Sequence, residues 1–433
     1  MKLAGKDIAA LGFMTFAMYL GAGNLIFPPL LGYLAGENLA ISMVGFLITG
    51  VGLPALALVV IALVNGSDNL TKAFPRKIAI GFWVMLFIVI GPAFAIPRAI
   101  TVAYQFTFSP FIGDAGLVWF SAAFCLVAIL FSMYPGKLVS SLGKLLTPLL
   151  VVILTILAGA AFLFPSGDFS VAQGDYVDGA LSQGLTQGYM TMDALGSIGF
   201  GWIIFRAIQG MGVSEPKDIT RYTLMAAGIY AAGITLVYLT LAYIGLTSPS
   251  LGYDFQNGGE ILTAFTQFHF GYTGTILLGA VMLLACLTTA IGVTTAAGEF
   301  HAKTFPWFKY RTSICSTMIL ASLVATIGLS QLLTITLPAV VALHPIAIAL
   351  LLTALCRHYL SQAWVMIVVA VAALFGLLDA CHILGEVPES LSLLCEQYMP
   401  LYDFHAAWLL PTLISLVGGV VMSRKHRFVS SAV

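Results

Sequence analysis

The stretch FAMYLGAGNLIFPPLLGY, Phe16–Tyr33, is apolar enough to lie in a lipid bilayer, yet it contains glycines, an asparagine and two prolines. Non-helical backbone at membrane depth is tolerated only where it is buried in protein or lines a wet cavity. The residues from Gly21 to Asn24 lie near the middle of the apolar segment. The stretch therefore predicts a helix interrupted near the bilayer centre. The alternative is that its glycines let two helices pack closely.

The composition of the whole chain supports a membrane setting. Hydrophobic residues make up 60% of the 433 residues and charged residues 8%, more than a soluble core of this size requires. Because a helical span needs about 20 apolar residues, we expect an all-α integral membrane protein that forms one transmembrane domain over residues 1–433. Its twelve predicted spans are residues 8–31, 39–64, 78–108, 117–134, 145–164, 189–211, 222–247, 272–300, 312–329, 333–356, 361–380 and 405–423.

The charges predict an orientation for these spans. Of the 18 Lys and Arg residues, all but Arg98 and Arg206 lie at the termini or in alternate connections. The opposite connections carry no Lys or Arg but hold carboxylates, including Asp175 in the connection over residues 165–188. By the positive-inside rule, both termini are predicted to be cytoplasmic and residues 165–188 to lie outside.

A second segment has the same unusual composition. The sixth predicted span, GYMTMDALGSIGFGWIIFRAIQGMG over residues 188–212, has Gly196, Gly199 and Gly201 around its midpoint. In secondary transporters, broken helices in corresponding positions of two repeats mark the binding site. We therefore predict that helices 1 and 6 are both discontinuous.

This correspondence predicts the arrangement of the whole domain. If helices 1 and 6 are counterparts, residues 8–164 and 189–356 form two inverted five-helix repeats. Residues 361–423 then supply helices 11 and 12 outside the repeat. The freed amides at such breaks suit an anionic group of a substrate, and the freed carbonyls suit a cation.

The eighth predicted span carries two threonine pairs, in LACLTTAIGVTTAAGEF over residues 284–300. Thr288 and Thr289 lie near its midpoint, and Thr294 and Thr295 lie about 9 Å further along the helix. A threonine in a helix often bonds to a carbonyl of the preceding turn, which would make these residues structural. Alternatively, hydroxyls and carbonyls of one turn form a hard oxygen site suited to Na⁺.

Several charged residues lie within the predicted spans, where an ionisable group is a functional hypothesis. Counted from the outer surface, Arg98 is predicted about ten residues down span three and Asp193 about four residues down span six, where they could pair above a substrate. Arg206 and Glu299 are predicted near the cytoplasmic ends of spans six and eight, where they could pair as an inner gate. The alternatives are structural salt bridges and snorkelling to the interface. Asp379, at the outer end of span eleven, is expected to be solvated.

Four stretches give the chain a family resemblance that runs over essentially its whole length. It resembles the BrnQ-type branched-chain amino acid carriers of bacteria, through GFMTFAMYLGAGNLIFPPLLGYLAGE (12–37), GPAFAIPRAITVAYQF (91–106), MYPGKLVSSLGKLLTPL (133–149) and GVSEPKDITRYT (212–223). The resemblance implies a LeuT-like fold. It also implies Na⁺-coupled uptake of leucine, isoleucine and valine across the bacterial cytoplasmic membrane, with Na⁺ as coupling ion and no other cofactor.

The resemblance also implies a cation site. ACLTTAIG is similar to the part of helix 8 that holds the sodium site shared within the wider fold. The match assigns the carbonyls of Ala285 and Thr288 and the hydroxyl of Thr289 to Na⁺. Carbonyls near Ala17 and Leu20 of helix 1 would complete the site.

A substrate site is expected beside the two predicted breaks. The carboxylate of an amino acid would meet the amides of Ala22 and Gly23, between Gly21 and Asn24. Its ammonium group would meet freed carbonyls of helices 1 and 6. Phe200 would line the pocket for the aliphatic side chain, at a helix 6 break formed by its two glycine neighbours, Gly199 and Gly201.

Two other classes of function compete with this prediction. A proton-coupled carrier of the same fold would not need the threonine site, but would need a buried lysine or carboxylate near helix 1. A membrane enzyme or a channel is less favoured. The sequence has no HExxH, paired-aspartate or Ser/Lys constellation and no ring of charges or repeated filter. The sequence leaves open a disulfide between Cys381 and Cys395.

Overall fold

The computed structural model describes residues 3–134, 144, 147–252, 254–399, 401–402 and 405–430. The predicted inner-loop residue Lys137 and the outer-loop residue Asp403 lie outside this part. Helices joined by turns make up the described residues, which include no strand. The α-helices are α1 Gly5–Tyr19, α2 Ala22–Ala35, α3 Leu39–Leu47, α4 Leu53–Leu63, α5 Arg76–Ile88, α6 Ala95–Thr107, α7 Ser109–Ile112, α8 Leu117–Ser132, α9 Thr147–Leu163, α10 Ala180–Met190, α11 Asp193–Gly210, α12 Pro216–Leu246, α13 Gly258–Thr304, α14 Tyr310–Ala325, α15 Leu329–Leu355, α16 Gln362–Ile383, α17 Glu389–Tyr398 and α18 Leu409–Ser430.

Many of these helices suit a bilayer. Within the described residues, six helical stretches are long and apolar enough to cross a membrane: Ala22–Leu63, Arg76–Thr107, Pro216–Leu246, Gly258–Thr304, Thr334–Leu355 and Gln362–Ile383. Shorter apolar helices cover Leu117–Ser132, Thr147–Leu163, Tyr310–Ala325 and Leu409–Ser423. The chain is a helical, multi-pass membrane protein. The count of twelve spans and the inverted repeat remain predictions.

The first helix is interrupted where the sequence predicted. α1 ends at Tyr19, and α2 begins at Ala22 after Leu20 and an extended Gly21 with φ −108° and ψ −170°. The Asn24 side-chain oxygen accepts a hydrogen bond from the Gly21 amide at 3.2 Å. This bond satisfies the amide of Gly21, whereas the first amides of α2 itself have no partner within the helix.

The second interruption lies earlier in the chain than predicted. α10 ends at Met190 and α11 begins at Asp193, with Thr191 and Met192 between them. Met192 has φ +64°, a left-handed conformation that is uncommon for a residue other than glycine. The expected break at Gly199 and Gly201 was therefore wrong, because α11 continues through both.

The glycines of α11 serve close packing instead. A Cβ atom on Gly201 would lie 2.5 Å from Cδ1 of Ile61, and one on Gly199 would lie 3.3 Å from the ring of Phe87. Two of the glycines that suggested a break are therefore places where neighbouring helices approach α11 closely.

Helix packing brings the two interruptions to the centre of the bundle. α13 packs along α6, α2 and α1, and α12 packs along α1 and α2. α11 lies against α4 and α13. α16 packs on α15 and α18 and forms with them a second apolar cluster. The central position of both breaks is what places their open backbone groups close together.

Candidate functional site

The carbonyl end of α1 meets two hydroxyls of α13. Thr288 Oγ1 donates to the Ala17 carbonyl at 2.8 Å and to the Ala285 carbonyl at 3.0 Å. Thr289 Oγ1 donates to the Met18 carbonyl at 2.9 Å. The last carbonyls of a helix have no partner within that helix. The threonine pair therefore satisfies two carbonyls that the break in helix 1 leaves open.

This arrangement brings together three of the oxygen groups that the resemblance assigned to a cation, namely the carbonyls of Ala17 and Ala285 and the hydroxyl of Thr289. Thr288 takes part through its hydroxyl, whereas the resemblance assigned its carbonyl. The carbonyl that Thr289 contacts belongs to Met18, which the sequence reasoning had not named. The Leu20 amide donates to Phe16 at 3.0 Å, and no contact of the Leu20 carbonyl with the threonines is recorded among the described residues.

The chemistry of this cluster suits a small hard cation. Its donors are all oxygen atoms, and the C-terminal end of α1 carries a partial negative charge. Among the described residues, no group of three or more His, Cys, Asp or Glu side chains could hold a metal ion. The second threonine pair has other surroundings, since Thr294 Oγ1 contacts Sδ of Met318 at 3.1 Å.

Arg98 holds the end of α10 at the break in helix 6. Its Nη1 donates to the Met190 carbonyl at 3.2 Å, and its Nη2 donates to the Thr191 carbonyl at 3.3 Å. The side chain reaches these carbonyls from α6 and is almost fully buried. A cation at a helix C-terminus is favourable because it opposes the negative end of the helix dipole.

Asp193 connects the break in helix 6 to the break in helix 1. It is the first residue of α11 and is buried. Its Oδ2 accepts hydrogen bonds from Nδ2 of Asn24 and from the hydroxyl of Tyr238, the latter at 3.1 Å. Because Asn24 lies in the first turn of α2, the carboxylate is fixed beside the amide end of that helix.

The predicted ion pair between Arg98 and Asp193 is absent. Ion pairs within 4.0 Å in the described part of the chain do not include these two residues, although their charges are close enough to interact through space. The guanidinium is turned towards the carbonyls of α10, and the carboxylate is turned towards α2 and α12. Both charged groups therefore lie at the breaks without touching each other.

The inner pair predicted from the sequence is present. Arg206 Nε lies 3.9 Å from Oε2 of Glu299, and the Trp202 indole donates to the same oxygen at 2.7 Å. The Lys303 ammonium lies 4.2 Å from the centroid of the Trp202 ring and pairs with Asp68. The Arg206 side chain is 57% exposed, so this pair contributes little to stability. Its role as a gate remains a prediction.

Phe200 reaches the end of α1 although helix 6 is not broken beside it. Its ring lies edge-on to that of Tyr19, with 5.0 Å between centroids. The Tyr19 hydroxyl donates to Ser197 at 2.8 Å, and Ser197 in turn donates to the carbonyl of Asp193 at 2.7 Å. Phe200 is thus close to the break in helix 1, whereas Gly199 and Gly201 act in packing.

The region around α16 differs from the sequence in the burial of Asp379 and answers the question of a disulfide. Asp379 was expected to be solvated, but it is fully buried and accepts a hydrogen bond from the Ala407 amide at 3.3 Å. The residues before α18 fold over it, which the position of Asp379 near a span end did not indicate. Cys381 and Cys395 are both free thiols.

Solved structures with the same architecture are membrane transporters. The chain aligns with a manganese transporter of Eremococcus coleocola at a TM-score of 0.59, 13% identity and coverage of 97% of this chain and 95% of that one. It aligns with MhsT in complex with L-phenylalanine at a TM-score of 0.53, 17% identity and coverage of 95% and 98%. These likenesses support the expected LeuT-like helical fold and show nothing about substrate.

The sequence comparisons are more specific. Residues 4–426 match the family model described as branched-chain amino acid transport protein. The branched-chain amino acid transport system 2 carrier protein of Pseudomonas aeruginosa is 43% identical over 430 residues, 98% of this chain and 97% of the relative. The branched-chain amino acid permease BrnQ of Escherichia coli K12 is 39% identical over 428 residues, with the same coverage. The chain belongs to the branched-chain amino acid transport protein family and is a transporter, not an enzyme.

Proposed function

We propose that this protein carries leucine, isoleucine and valine into the cytoplasm by Na⁺-coupled symport with alternating access. One observation carries the coupling part of the proposal: the hydroxyls of Thr288 and Thr289 lie against the open carbonyl end of α1. Na⁺ entering between these oxygens would link α13 to the helix whose interruption forms the substrate site. The ion would then stabilise one relative position of α1 and α13 over another. Such a preference is what coupling to substrate binding requires.

The substrate is proposed to bind at the amide end of α2. Ala22 and Gly23 begin this helix after Gly21, and the first amides of a helix favour an anionic group. The aliphatic side chain would lie towards Phe200, whose ring already packs against Tyr19. Both partners of the symport would thus contact the same interruption in helix 1, one at each of its two open ends.

A proton-coupled carrier of the same fold is the second candidate, and one observation favours it. It requires a buried carboxylate near helix 1, and Asp193 is buried and bonded to Asn24 of α2. Protonation of Asp193 would then take the place of Na⁺ binding. The two candidates differ in which gradient drives uptake and in which residues abolish it.

The deciding experiment is uptake of labelled leucine into proteoliposomes. An inward Na⁺ gradient should drive accumulation above equilibrium, and replacing Na⁺ by choline should remove it. Accumulation that ignores Na⁺ and follows an inward proton gradient would favour the second candidate. Isoleucine and valine should compete with labelled leucine, whereas alanine and lysine serve as controls for the size and charge of the side chain.

We further propose that the protein lies in a bacterial cytoplasmic membrane with both termini in the cytoplasm. The support is the distribution of Lys and Arg over alternate connections. The loop over residues 65–77 is then cytoplasmic and the connection over residues 165–188 external. Cysteines introduced into the two regions can be labelled chemically, so the orientation can be tested directly.

A further inference from the structure

We propose that Arg98 and Asp193 recognise the two charges of the substrate, with the guanidinium binding the α-carboxylate and the Asp193 carboxylate binding the α-ammonium. The inference rests on the proposed function, because it takes an amino acid as the substrate. It adds two specificity-determining side chains to a site otherwise built from backbone groups and one apolar ring.

Arg98 is a buried cation with unused hydrogen-bonding capacity. A guanidinium has five N–H donors. Two of those of Arg98 reach the Met190 and Thr191 carbonyls, both neutral and both beyond 3.1 Å. Its Nε is buried and has no hydrogen-bond partner among the described residues. A buried charge of this kind favours an anionic partner, and a carboxylate matches the guanidinium in shape as well as charge.

The guanidinium also lies directly beside the predicted carboxylate site. A Cβ atom on Gly23 would lie 2.9 Å from Nη2 of Arg98, so a larger residue at this position would force the end of the arginine side chain to shift away from the backbone of α2. Gly23 is in the first turn of α2, where free amides and the positive end of the helix dipole also favour an anion. Two independent features therefore point to an anion at the same place.

Asp193 is the matching anion. Its Oδ2 accepts hydrogen bonds from Asn24 and Tyr238, both neutral donors, and no ion pair within 4.0 Å engages it among the described residues. A carboxylate can accept about four hydrogen bonds, so an ammonium group could be added to the present partners. The ammonium would also supply the positive charge that Asn24 and Tyr238 cannot.

The separation of the two side chains suits a zwitterion. On α2 the Arg98 guanidinium lies beside Gly23 and the Asp193 carboxylate bonds to Asn24, and these two residues are consecutive in the chain. An α-amino acid carries its carboxylate and ammonium on a single carbon atom, so its two charges are also held close together. A direct Arg98–Asp193 ion pair would block this use of both groups. Their separate positions therefore favour recognition of the substrate over gating by mutual attraction.

The inference predicts how loss of one substrate charge changes binding. Leucinol keeps the ammonium but lacks the carboxylate, and 4-methylpentanoate keeps the carboxylate but lacks the ammonium. Binding of each to the purified full-length protein can be followed by thermal shift in saturating NaCl. For the wild-type protein we expect leucine to bind at least about tenfold more tightly than either analogue, the usual scale of one bond to a charged group.

Each charge should be recognised by its own residue. Arg98→Gln should weaken leucine binding about tenfold to a hundredfold and leave leucinol binding nearly unchanged. Asp193→Asn should weaken leucine binding to a similar degree and leave 4-methylpentanoate binding nearly unchanged. Asp379→Asn is the matched control, since it neutralises a different buried carboxylate, on α16. It should not change the relative affinities of leucine, leucinol and 4-methylpentanoate.

Two results would overturn the inference. One is a wild-type protein that binds leucinol or 4-methylpentanoate as tightly as leucine, a measurement that needs no folded variant. The other is a variant in which leucine and both analogues weaken together, which would make Arg98 or Asp193 a structural residue. Either result can occur while Na⁺ still drives leucine uptake. Conversely, uptake can be independent of Na⁺ while leucine still binds more tightly than both analogues. Failure of the inference is therefore distinct from failure of the proposed function.

Discussion

Replacing Thr289 by valine tests the cation site with little change in shape. Valine keeps the branched outline of threonine but lacks the hydroxyl that contacts Met18 at 2.9 Å. Losing one bond to a charged group costs about 1 to 3 kcal/mol. Since 1.36 kcal/mol corresponds to a factor of ten at 25 °C, the Na⁺ concentration for half-maximal leucine uptake should rise about fivefold to 150-fold.

The same substitution should change leucine affinity in a Na⁺-dependent way. Because coupling between two binding sites is reciprocal, leucine should bind more weakly to Thr289→Val at low Na⁺. Saturating Na⁺ should restore much of that affinity. The assay is leucine uptake by proteoliposomes over a range of Na⁺ concentrations, with the amount of folded protein checked by size-exclusion chromatography.

Two variants separate cation binding from general damage. Thr289→Ser keeps the hydroxyl and should remain close to the wild-type protein. Thr294→Val removes a hydroxyl of the same helix that contacts Met318 instead of α1, and it should leave the Na⁺ dependence unchanged. If Thr294→Val shifts the Na⁺ dependence and Thr289→Val does not, the cation site has been placed at the wrong threonine pair.

Two further predictions concern orientation and packing. In a cysteine-free background, cysteines introduced at Asn69 and Asp175 should differ in labelling by a membrane-impermeant maleimide in intact cells; labelling of position 69 but not 175 would refute the orientation. Gly32→Ala should sharply reduce the yield of folded protein, because the new Cβ atom would lie 1.9 Å from a backbone carbonyl oxygen of α12. Gly159→Ala should be tolerated, because its Cβ atom would meet nothing within 4 Å. Equal yields of the two glycine variants would contradict the packing.

The break in helix 1 was predictable because its cause is local. The side-chain oxygen of Asn24 accepts a hydrogen bond from the Gly21 amide at the start of the following helix. This bond depends on the type of residue at the break itself. The sequence therefore located this interruption to within a residue or two.

The break in helix 6 depends on contacts that are distant in the sequence. Thr191 and Met192 include no glycine, and the neighbouring carbonyls are held by Arg98 from α6. The glycines of α11, which suggested a break eight residues or so later, are explained by packing partners such as Ile61 on another helix. Local composition cannot distinguish a glycine needed for a break from one needed for close packing.

The contact of Thr288 and Thr289 with the end of α1 was anticipated by resemblance more than by composition. Threonines in membrane helices are common packing residues, and the sequence alone could not say that Thr288 and Thr289 face α1. The similarity of ACLTTAIG to a known sodium motif indicated that these threonines face helix 1. Which carbonyl of helix 1 Thr289 contacts depends on where α1 ends. The sequence does not define that end exactly, so Met18 was not predicted as the partner of Thr289.

Leucine-dependent uptake of ²²Na⁺ is the most direct test of the central claim, which is coupling of a branched-chain amino acid to Na⁺ through the threonine pair. Proteoliposomes holding the wild-type protein should take up ²²Na⁺ faster when external leucine is added, and Thr289→Val should lose most of this stimulation at low Na⁺. Leucine that enters wild-type proteoliposomes without any accompanying ²²Na⁺ would contradict the claim.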